Sequence, residues 1–291
     1  MGRNQSASEA FSMSYKTVVV HLNHAQRTPA LMGAGIGLAR QHDAHLIGLY
    51  VFPAYRLTPP IPLPFGADIA SNIRNTMKED MERVRAAFEE ARAGQALSME
   101  WRSITSQRRN PEAIVLEHAR VADVIVASQA DPDWTFTDIL DFPEALAIDS
   151  GRPVYVVPNS ARAVVPPRTV CVAWNGKREA ARAVFDALPL LKSADKVHVL
   201  TVVEREPESE GALPDTEVGA ALARHGVNVE VTSVPVSRSS VGADIQARAM
   251  ERGADLIVMG CYGHSRLREF ALGGVTRHML KDMTIPIMFS H

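Results

Sequence analysis

The sequence predicts an α/β protein of two tandem Rossmann-like domains, each with about five parallel strands flanked by helices. The chain has 291 residues, which is more than a single hydrophobic core usually spans. Short runs of Val, Ile and Leu alternate with helical stretches along its whole length, a pattern typical of parallel strands joined by crossover helices. Three of these segments recur in the same order in both halves, so a duplicated fold explains the length and the pattern together.

The repeated segments are the first, fourth and fifth strands of each domain. The first strand is followed by Asn23 in one half and by Asn175 in the other, and the fifth strand is entered through a proline in both. The predicted strands are 16–20, 45–52, 98–105, 122–126 and 153–157, then 168–172, 196–203, 228–234, 254–258 and 286–289. The predicted helices include 69–93, 111–120, 242–252 and 275–282.

These segments divide the chain into a tail, two domains and a linker. Residues 1–15 lack an apolar core and are expected to be a disordered tail. The first domain is predicted at 16–158, a proline-interrupted linker at 159–167 and the second domain at 168–291. The first domain is the longer one, because a proline-rich stretch at 53–67 inserts an extended loop before its second helix.

Composition argues against several classes of partner. The 31 basic and 33 acidic residues nearly balance, so overall charge does not favour nucleic acid or an anionic membrane. No apolar run is long enough to span a bilayer. The two cysteines, Cys171 and Cys261, have no CxxC spacing, which favours a reducing compartment over an oxidising one. We therefore expect a cytoplasmic protein without a nucleic-acid or membrane partner.

A glycine-rich loop follows the fourth strand of the second domain only. Gly260 and Gly263 form a GxxG, and Gly273 and Gly274 follow after nine residues and open a helix. Glycines let backbone N–H groups approach phosphate oxygens, and the free amides of a helix N-terminus favour the same charge. His264, Arg266 and the Thr276 hydroxyl would add to this phosphate site. The first domain has the acidic, glycine-free segment 127–134 instead, which is not expected to bind phosphate.

This loop, together with the repeated strands, closely resembles the universal stress protein family over residues 16–291. The resemblance implies an adenine nucleotide alpha hydrolase-like fold, ATP binding in some members, and a pairing of tandem domains like that of a dimer. It implies ATP, ADP or AMP as ligand, with or without Mg²⁺. The expected nucleotide-binding residues are Ala173, Asn175, Gly260, Gly263, His264, Arg266, Gly273, Gly274, Val275 and Thr276.

Two positions depart from the family pattern. Gly274 stands where the family has Ser or Thr, which removes a hydroxyl unless Thr276 supplies its hydrogen bond. Asn175 stands where Asp is usual, so a charge that would favour a metal is lost. A nucleotide-free module for protein interaction or dimerisation, with a structural glycine loop, is therefore the alternative. With or without nucleotide, we expect a homodimer or an intramolecular domain pair.

No catalytic residue is predicted, because no paired carboxylates accompany the loop, and hydrolysis would at most be slow. A Walker loop is absent, and the glycines at 33–37 lie too far from a strand for a dinucleotide fingerprint, so close helix packing explains them better. His42 and His45 form only a weak zinc pair. Cys261 would be sensitive to oxidants if the loop exposed its thiol and lowered its pKa.

Overall fold

The computed structural model describes residues 14–53, 66–107, 109–160, 165–203, 215–238, 240–262 and 274–291. The strands are β1 (Thr17–His21), β2 (His45–Phe52), β3 (Met99–Thr105), β4 (Val124–Ser128), β5 (Val154–Val157), β6 (Thr169–Ala173), β7 (Lys196–Val203), β8 (Val229–Pro235), β9 (Leu256–Gly260) and β10 (Ile287–Ser290). The helices are α1 (Thr28–His42), α2 (Gly66–Arg92), α3 (Pro111–Ala119), α4 (Thr137–Leu140), α5 (Pro143–Asp149), α6 (Arg178–Asp186), α7 (Leu188–Ser193), α8 (Thr216–Arg224), α9 (Val241–Glu251) and α10 (Gly274–Asp282).

All ten strands belong to one sheet with the order β3-β2-β1-β4-β5-β10-β9-β6-β7-β8. Within each domain the neighbouring strands are parallel, and the five strands have the same order in both. The two halves meet where β5 and β10 pair antiparallel, with Met288 opposite Tyr155. The predicted α/β fold with five parallel strands per domain is confirmed.

The core lies on both faces of this sheet because successive strand side chains point to opposite sides. Val18 and Val20 pack in one hydrophobic cluster, while Val19 packs in the other. The second domain repeats this alternation, with Val170 in the first cluster and Cys171 in the second. Both clusters therefore extend through the two domains, and strands buried on both faces explain why their sequences are continuously apolar.

The glycines of 33–37 lie inside α1. A Cβ on Gly35 would lie 2.4 Å from Cγ2 of Val20, so this glycine lets the helix approach β1 closely. The contact of Gly35 with Val20 agrees with the prediction that these glycines serve close helix packing. In the described residues no helix is long and apolar enough to cross a membrane.

Tyr15 does not belong to a disordered tail, and the prediction that the tail extends to residue 15 is wrong at this position. Its side chain is buried, and the hydroxyl donates to the carbonyl oxygen of Asp186 at 2.7 Å. The ring also packs edge-on against His42, with the centroids 4.8 Å apart. An aromatic ring with a polar end can tie the first domain to the end of α6 in this way. Residues 1–13 lie outside the described part of the chain.

Candidate functional site

The candidate site lies where β6 and β9 end at the carboxyl edge of the second domain. These strands are parallel neighbours, with Ala173 opposite Met259, so their exits lie side by side. From β6 the chain continues on one side to β7 and β8, and it then crosses to the other side of β6 to form β9 and β10. Open α/β sheets bind ligands at such a switch in strand order. α10 joins this edge through Thr276, whose Oγ1 accepts a hydrogen bond from the Tyr262 N–H at 3.5 Å.

Asn175 lies exposed in the turn that leaves β6. Its Oδ1 accepts the backbone N–H of Lys177 at 3.1 Å, and Gly176 between them has a φ of +69°. A left-handed φ of this kind is inexpensive only for glycine, so the sequence Asn-Gly fixes the turn. The side chain is thus held at the sheet edge beside the partly buried Ala173.

Gly260 has a packing role that the sequence interpretation did not include. A Cβ at this position would lie 2.4 Å from the carbonyl carbon of Glu179 and 2.5 Å from the backbone nitrogen of Ala180. Real Cβ atoms do not approach backbone atoms so closely, so only glycine lets the first turn of α6 pack on the end of β9. The need for glycine here follows from helix packing, whatever the site binds.

The three predicted residues at the start of α10 differ in their surroundings. Gly274 is exposed, and a Cβ there would meet no atom within 4 Å. Val275 is partly buried, and Thr276 is 4% exposed with its hydroxyl oxygen already accepting from Tyr262. The first N–H groups of a helix have no partner within the helix, so those at the start of α10 need partners from outside it. Gly263, His264, Arg266 and Gly273 lie outside the described residues.

Cys261 is not the exposed thiol that a redox role would require. Its side chain is 1% exposed, and Sγ lies 3.4 Å from the carbonyl oxygen of Ser290. Burial raises the pKa of the Cys261 thiol to about 12, and burial likewise raises that of Cys171 to about 12. Both cysteines are free and buried, so their thiols are protonated and unreactive near neutral pH.

Tyr262 is a site residue that the sequence interpretation missed. It has a φ of +55°, and its hydroxyl donates to the carboxylate of Glu144 on α5 of the first domain. Burial, and then the hydrogen bond to Glu144, raises the pKa of this phenol. A tyrosine between two glycines carries no signal of a left-handed backbone or of a distant partner, so no sequence pattern could have found this contact.

The corresponding position in the first domain follows from strand register. Val124 pairs with Val18 as Leu256 pairs with Val170, so Ser128 occupies the place of Gly260. Counted back 13 residues from the start of each fifth-strand pairing, at Val154 and Ile287, Asp141 corresponds in sequence to Gly274.

The first domain fills its own version of the site with these side chains. The Asp141 carboxylate accepts hydrogen bonds from the Asp131 N–H at 3.0 Å and the Thr137 hydroxyl at 2.9 Å. Asn23, the counterpart of Asn175, is 2% exposed and donates both to Asp141 and to the carbonyl oxygen of Leu140. Burial raises the pKa of Asp141. The first domain therefore has a hydrogen-bonded carboxylate at the sequence counterpart of Gly274, a residue without a side chain.

The described residues include no cluster of three or more His, Cys, Asp or Glu suited to a metal ion. The two histidines of the weak zinc pair have separate contacts. His42 packs against Tyr15, whereas His45 Nδ1 lies 2.7 Å from the Ser98 hydroxyl.

Comparison with known proteins bears on both domains. The sequence model of the universal stress protein family matches residues 167–291. The whole chain is similar in fold to a universal stress protein from Archaeoglobus fulgidus, with a TM-score of 0.63 and 15% identity over 94% of this chain and 95% of that one. It is also similar to a putative universal stress protein from Pseudomonas aeruginosa, with a TM-score of 0.55 and 14% identity over 95% and 93% of the two chains.

No curated protein matches the sequence. The two structural similarities, at their low identities, establish the fold of both halves, while the family match identifies the second half by sequence. Residues 167–291 therefore match the universal stress protein family by sequence, and they are joined to a first domain of the same fold.

Proposed function

We propose that this protein is a cytoplasmic regulator of the stress response that binds one adenine nucleotide, ATP, ADP or AMP, in its second domain. The observation that carries the proposal is the contrast between the two equivalent sheet edges. Asn175 and Gly274 are exposed at the second edge, whereas Asn23 and Asp141 are bonded to each other at the first. An internal carboxylate repels phosphate, and an exposed helix start with free amides attracts it.

The residues of the second domain suit a nucleotide in distinct ways. The backbone N–H groups at the start of α10, with those of Gly263 and Gly273, would donate to the phosphates, and His264 and Arg266 would offset their charge. Asn175 would hydrogen-bond the base or ribose. Ala173 and Val275 would provide apolar contact. Mg²⁺ would depend mainly on the phosphate oxygens, because Asn175 brings no charge.

Regulation fits this site better than rapid hydrolysis. Glu179, whose backbone lies against Gly260, has a buried carboxylate that is paired with the Arg178 guanidinium. A carboxylate held by a cation is a weak general base. We expect nucleotide turnover to be slow at most, and nucleotide-dependent differences in partner binding to be the output.

The test is calorimetric titration of the protein with ATP and ADP, in the wild type and in Gly263→Asp. Gly263→Asp places an acid in the loop after β9, as Asp131 does in the loop after β4. We expect nucleotide affinity to fall by at least about 100-fold, because the phosphates lose amide contacts and are repelled by the new charge. The matched control is Asp131→Asn, which should leave affinity unchanged. Unaltered binding in Gly263→Asp would show that the nucleotide lies elsewhere.

A nucleotide-free interaction protein is the second candidate, and one specific observation favours it. The Thr276 hydroxyl was expected to make the hydrogen bond that a Ser or Thr at position 274 would make. Thr276 is buried, however, and its hydroxyl oxygen accepts a hydrogen bond from the Tyr262 N–H. On this alternative the wild type would bind neither ATP nor ADP at millimolar concentration. The protein would then act through contacts between its domains or with another copy.

A further inference from the structure

An open cavity of about 470 Å³ lies at the carboxyl edge of the first domain. Three segments line it: the turn after β1, the middle of α2 and the loop after β4. The side chains that define its chemistry are His24, Asp80, Arg83, Trp134 and Phe136. This volume is sufficient for a small organic molecule.

Aromatic rings form part of the lining. The indole of Trp134 stacks on the imidazole of His24, with the centroids 4.6 Å apart and the planes 17° from parallel. Phe136 meets the same indole edge-on, at 5.9 Å and 87°. A ring face that borders the cavity attracts an organic cation, because the face carries the negative part of the ring quadrupole.

Asp80 adds a carboxylate that is poorly neutralised. Its side chain is 14% exposed, and the nearest guanidinium nitrogen of Arg83 lies 3.8 Å away on a side chain that is 63% exposed. Burial raises the pKa of Asp80, and burial lowers the pKa of His24, so the imidazole is mostly neutral at pH 7 and hardly competes as a cation. Among the described residues, Asp80 has one ion-pair partner, the largely exposed Arg83, and it also accepts a backbone hydrogen bond from Ala25.

We propose that this cavity binds a small organic ammonium ion, held by the faces of the aromatic rings and by the Asp80 carboxylate. Cation–π attraction and a desolvated ion pair act together on such a ligand. Four charged side chains act electrostatically on His24, namely the acids Asp80 and Asp131 and the cations Arg27 and Arg83. The preference for a cation therefore rests on the aromatic rings and on the partly buried Asp80 carboxylate. The site is separate from the nucleotide site of the second domain and does not depend on it.

Titration of the full chain with choline and with 3,3-dimethylbutan-1-ol tests the charge requirement, because the two molecules differ in little but the cation. We expect choline to bind with a dissociation constant in the millimolar range or below, and the neutral alcohol to bind at least about tenfold more weakly. The proposal would be overturned if choline and the neutral alcohol bound equally, because the pocket would then be merely apolar. It would also be overturned if choline did not bind at tens of millimolar.

Variants on α2 test the contribution of the carboxylate. Asp80→Asn should weaken choline binding about tenfold or more, while Glu90→Gln, an exposed position on the same helix with the same change of charge, should not. Arg83→Gln should tighten binding, since it removes the cation that competes for Asp80. Unfolding curves check that each variant is folded. If Arg83→Gln bound choline more weakly and the wild type bound phosphate, the cavity would be an anion site instead.

Discussion

Gly260 connects the sequence motif to the packing of the second domain. The glycine was predicted from its place in GxxG, and it lies against the backbone of Glu179 and Ala180. The motif revealed that the residue mattered but not why, because the reason is a tertiary contact with a helix about 80 residues earlier in the chain. Gly274 stands at the other end of the same motif, and its surroundings are open.

We predict that Gly260→Ala lowers the free energy of unfolding by about 2 kcal/mol, because the added methyl overlaps backbone atoms that cannot rotate away. Gly274→Ala is the matched control, and it should change stability by less than about 0.5 kcal/mol, since a Cβ there meets no atom. Urea unfolding of both variants measures the difference. Similar losses in the two proteins would mean that α6 does not pack as described.

His21 makes stability depend on pH. It is 2% exposed, its Nε2 lacks a hydrogen-bond partner among the described residues, and its ring lies 4.8 Å from that of Phe142. Burial lowers its pKa from 6.5 to about 4. Between pH 4 and pH 6.5, the unfolded chain therefore binds a proton at His21 more readily than the folded protein does. The stability present above pH 6.5 is lost as the pH falls from 6.5 to 4.

We predict that this loss amounts to about 3 kcal/mol for His21 alone. The measurement is the free energy of unfolding at pH 7 and at pH 4, in the wild type and in His21→Leu. Other buried histidines are present in both proteins, so the difference between their pH slopes isolates His21. Identical slopes would contradict the assignment of a neutral, buried imidazole at this position.

At the scale of elements, Asp141 organises the loop between β4 and α5 in the first domain. It accepts hydrogen bonds from the loop backbone at Asp131, from Thr137 and from Asn23, which follows β1. The sequence interpretation used the same loop only to argue that phosphate would be excluded. It did not identify Asp141, because an acid before a Phe-Pro pair has no distinctive pattern, and its donors come from three separate segments.

Asp141→Ala should lower the free energy of unfolding by about 2 kcal/mol, because it leaves buried donors without an acceptor. Asp138→Ala, an exposed acid three residues earlier, should cost less than about 0.5 kcal/mol. Thermal or urea unfolding distinguishes the two. An Asp141 variant as stable as the control would show that the carboxylate network contributes little to the first domain.

The strands were the elements most readable from sequence. Their runs of Val, Ile and Leu are buried on both faces, and predicted and observed limits agree closely, as for 45–52 and β2 (His45–Phe52). Helix limits were less exact: the second helix was predicted from 69 and begins at Gly66. Helix ends depend on caps and on tertiary contacts more than on apolar periodicity.

At the scale of the whole molecule, the two domains form one sheet, and the hydrophobic cluster on each face of that sheet runs through both domains. Because β5 and β10 pair antiparallel, the backbone N–H and C=O groups along one edge strand of each half have hydrogen-bond partners. Gln129 adds a tie between the halves, because its amide donates to the carbonyl oxygens of Leu280 at 3.0 Å and Lys281 at 2.7 Å, at the end of α10. The sequence predicted the strands of each half, but not which of them would pair between the halves.

The two equivalent positions thus differ within one chain: Asn175 and Gly274 are exposed in the second domain, whereas Asn23 and Asp141 are bonded to each other in the first. The Tyr262 hydroxyl contacts Glu144, so the residue that begins the glycine loop also touches the first domain. A ligand bound at α10 would therefore act on residues that the two domains share.

The central claim is that the chain has one nucleotide site rather than two or none. The most direct measurement saturates the purified protein with ATP, removes free nucleotide, denatures the protein and quantifies the released nucleotide per chain. The account predicts one adenine nucleotide per chain, because Asn23 and Asp141 occupy the first site. Two nucleotides per chain would contradict the filled first site, and none would contradict nucleotide binding altogether.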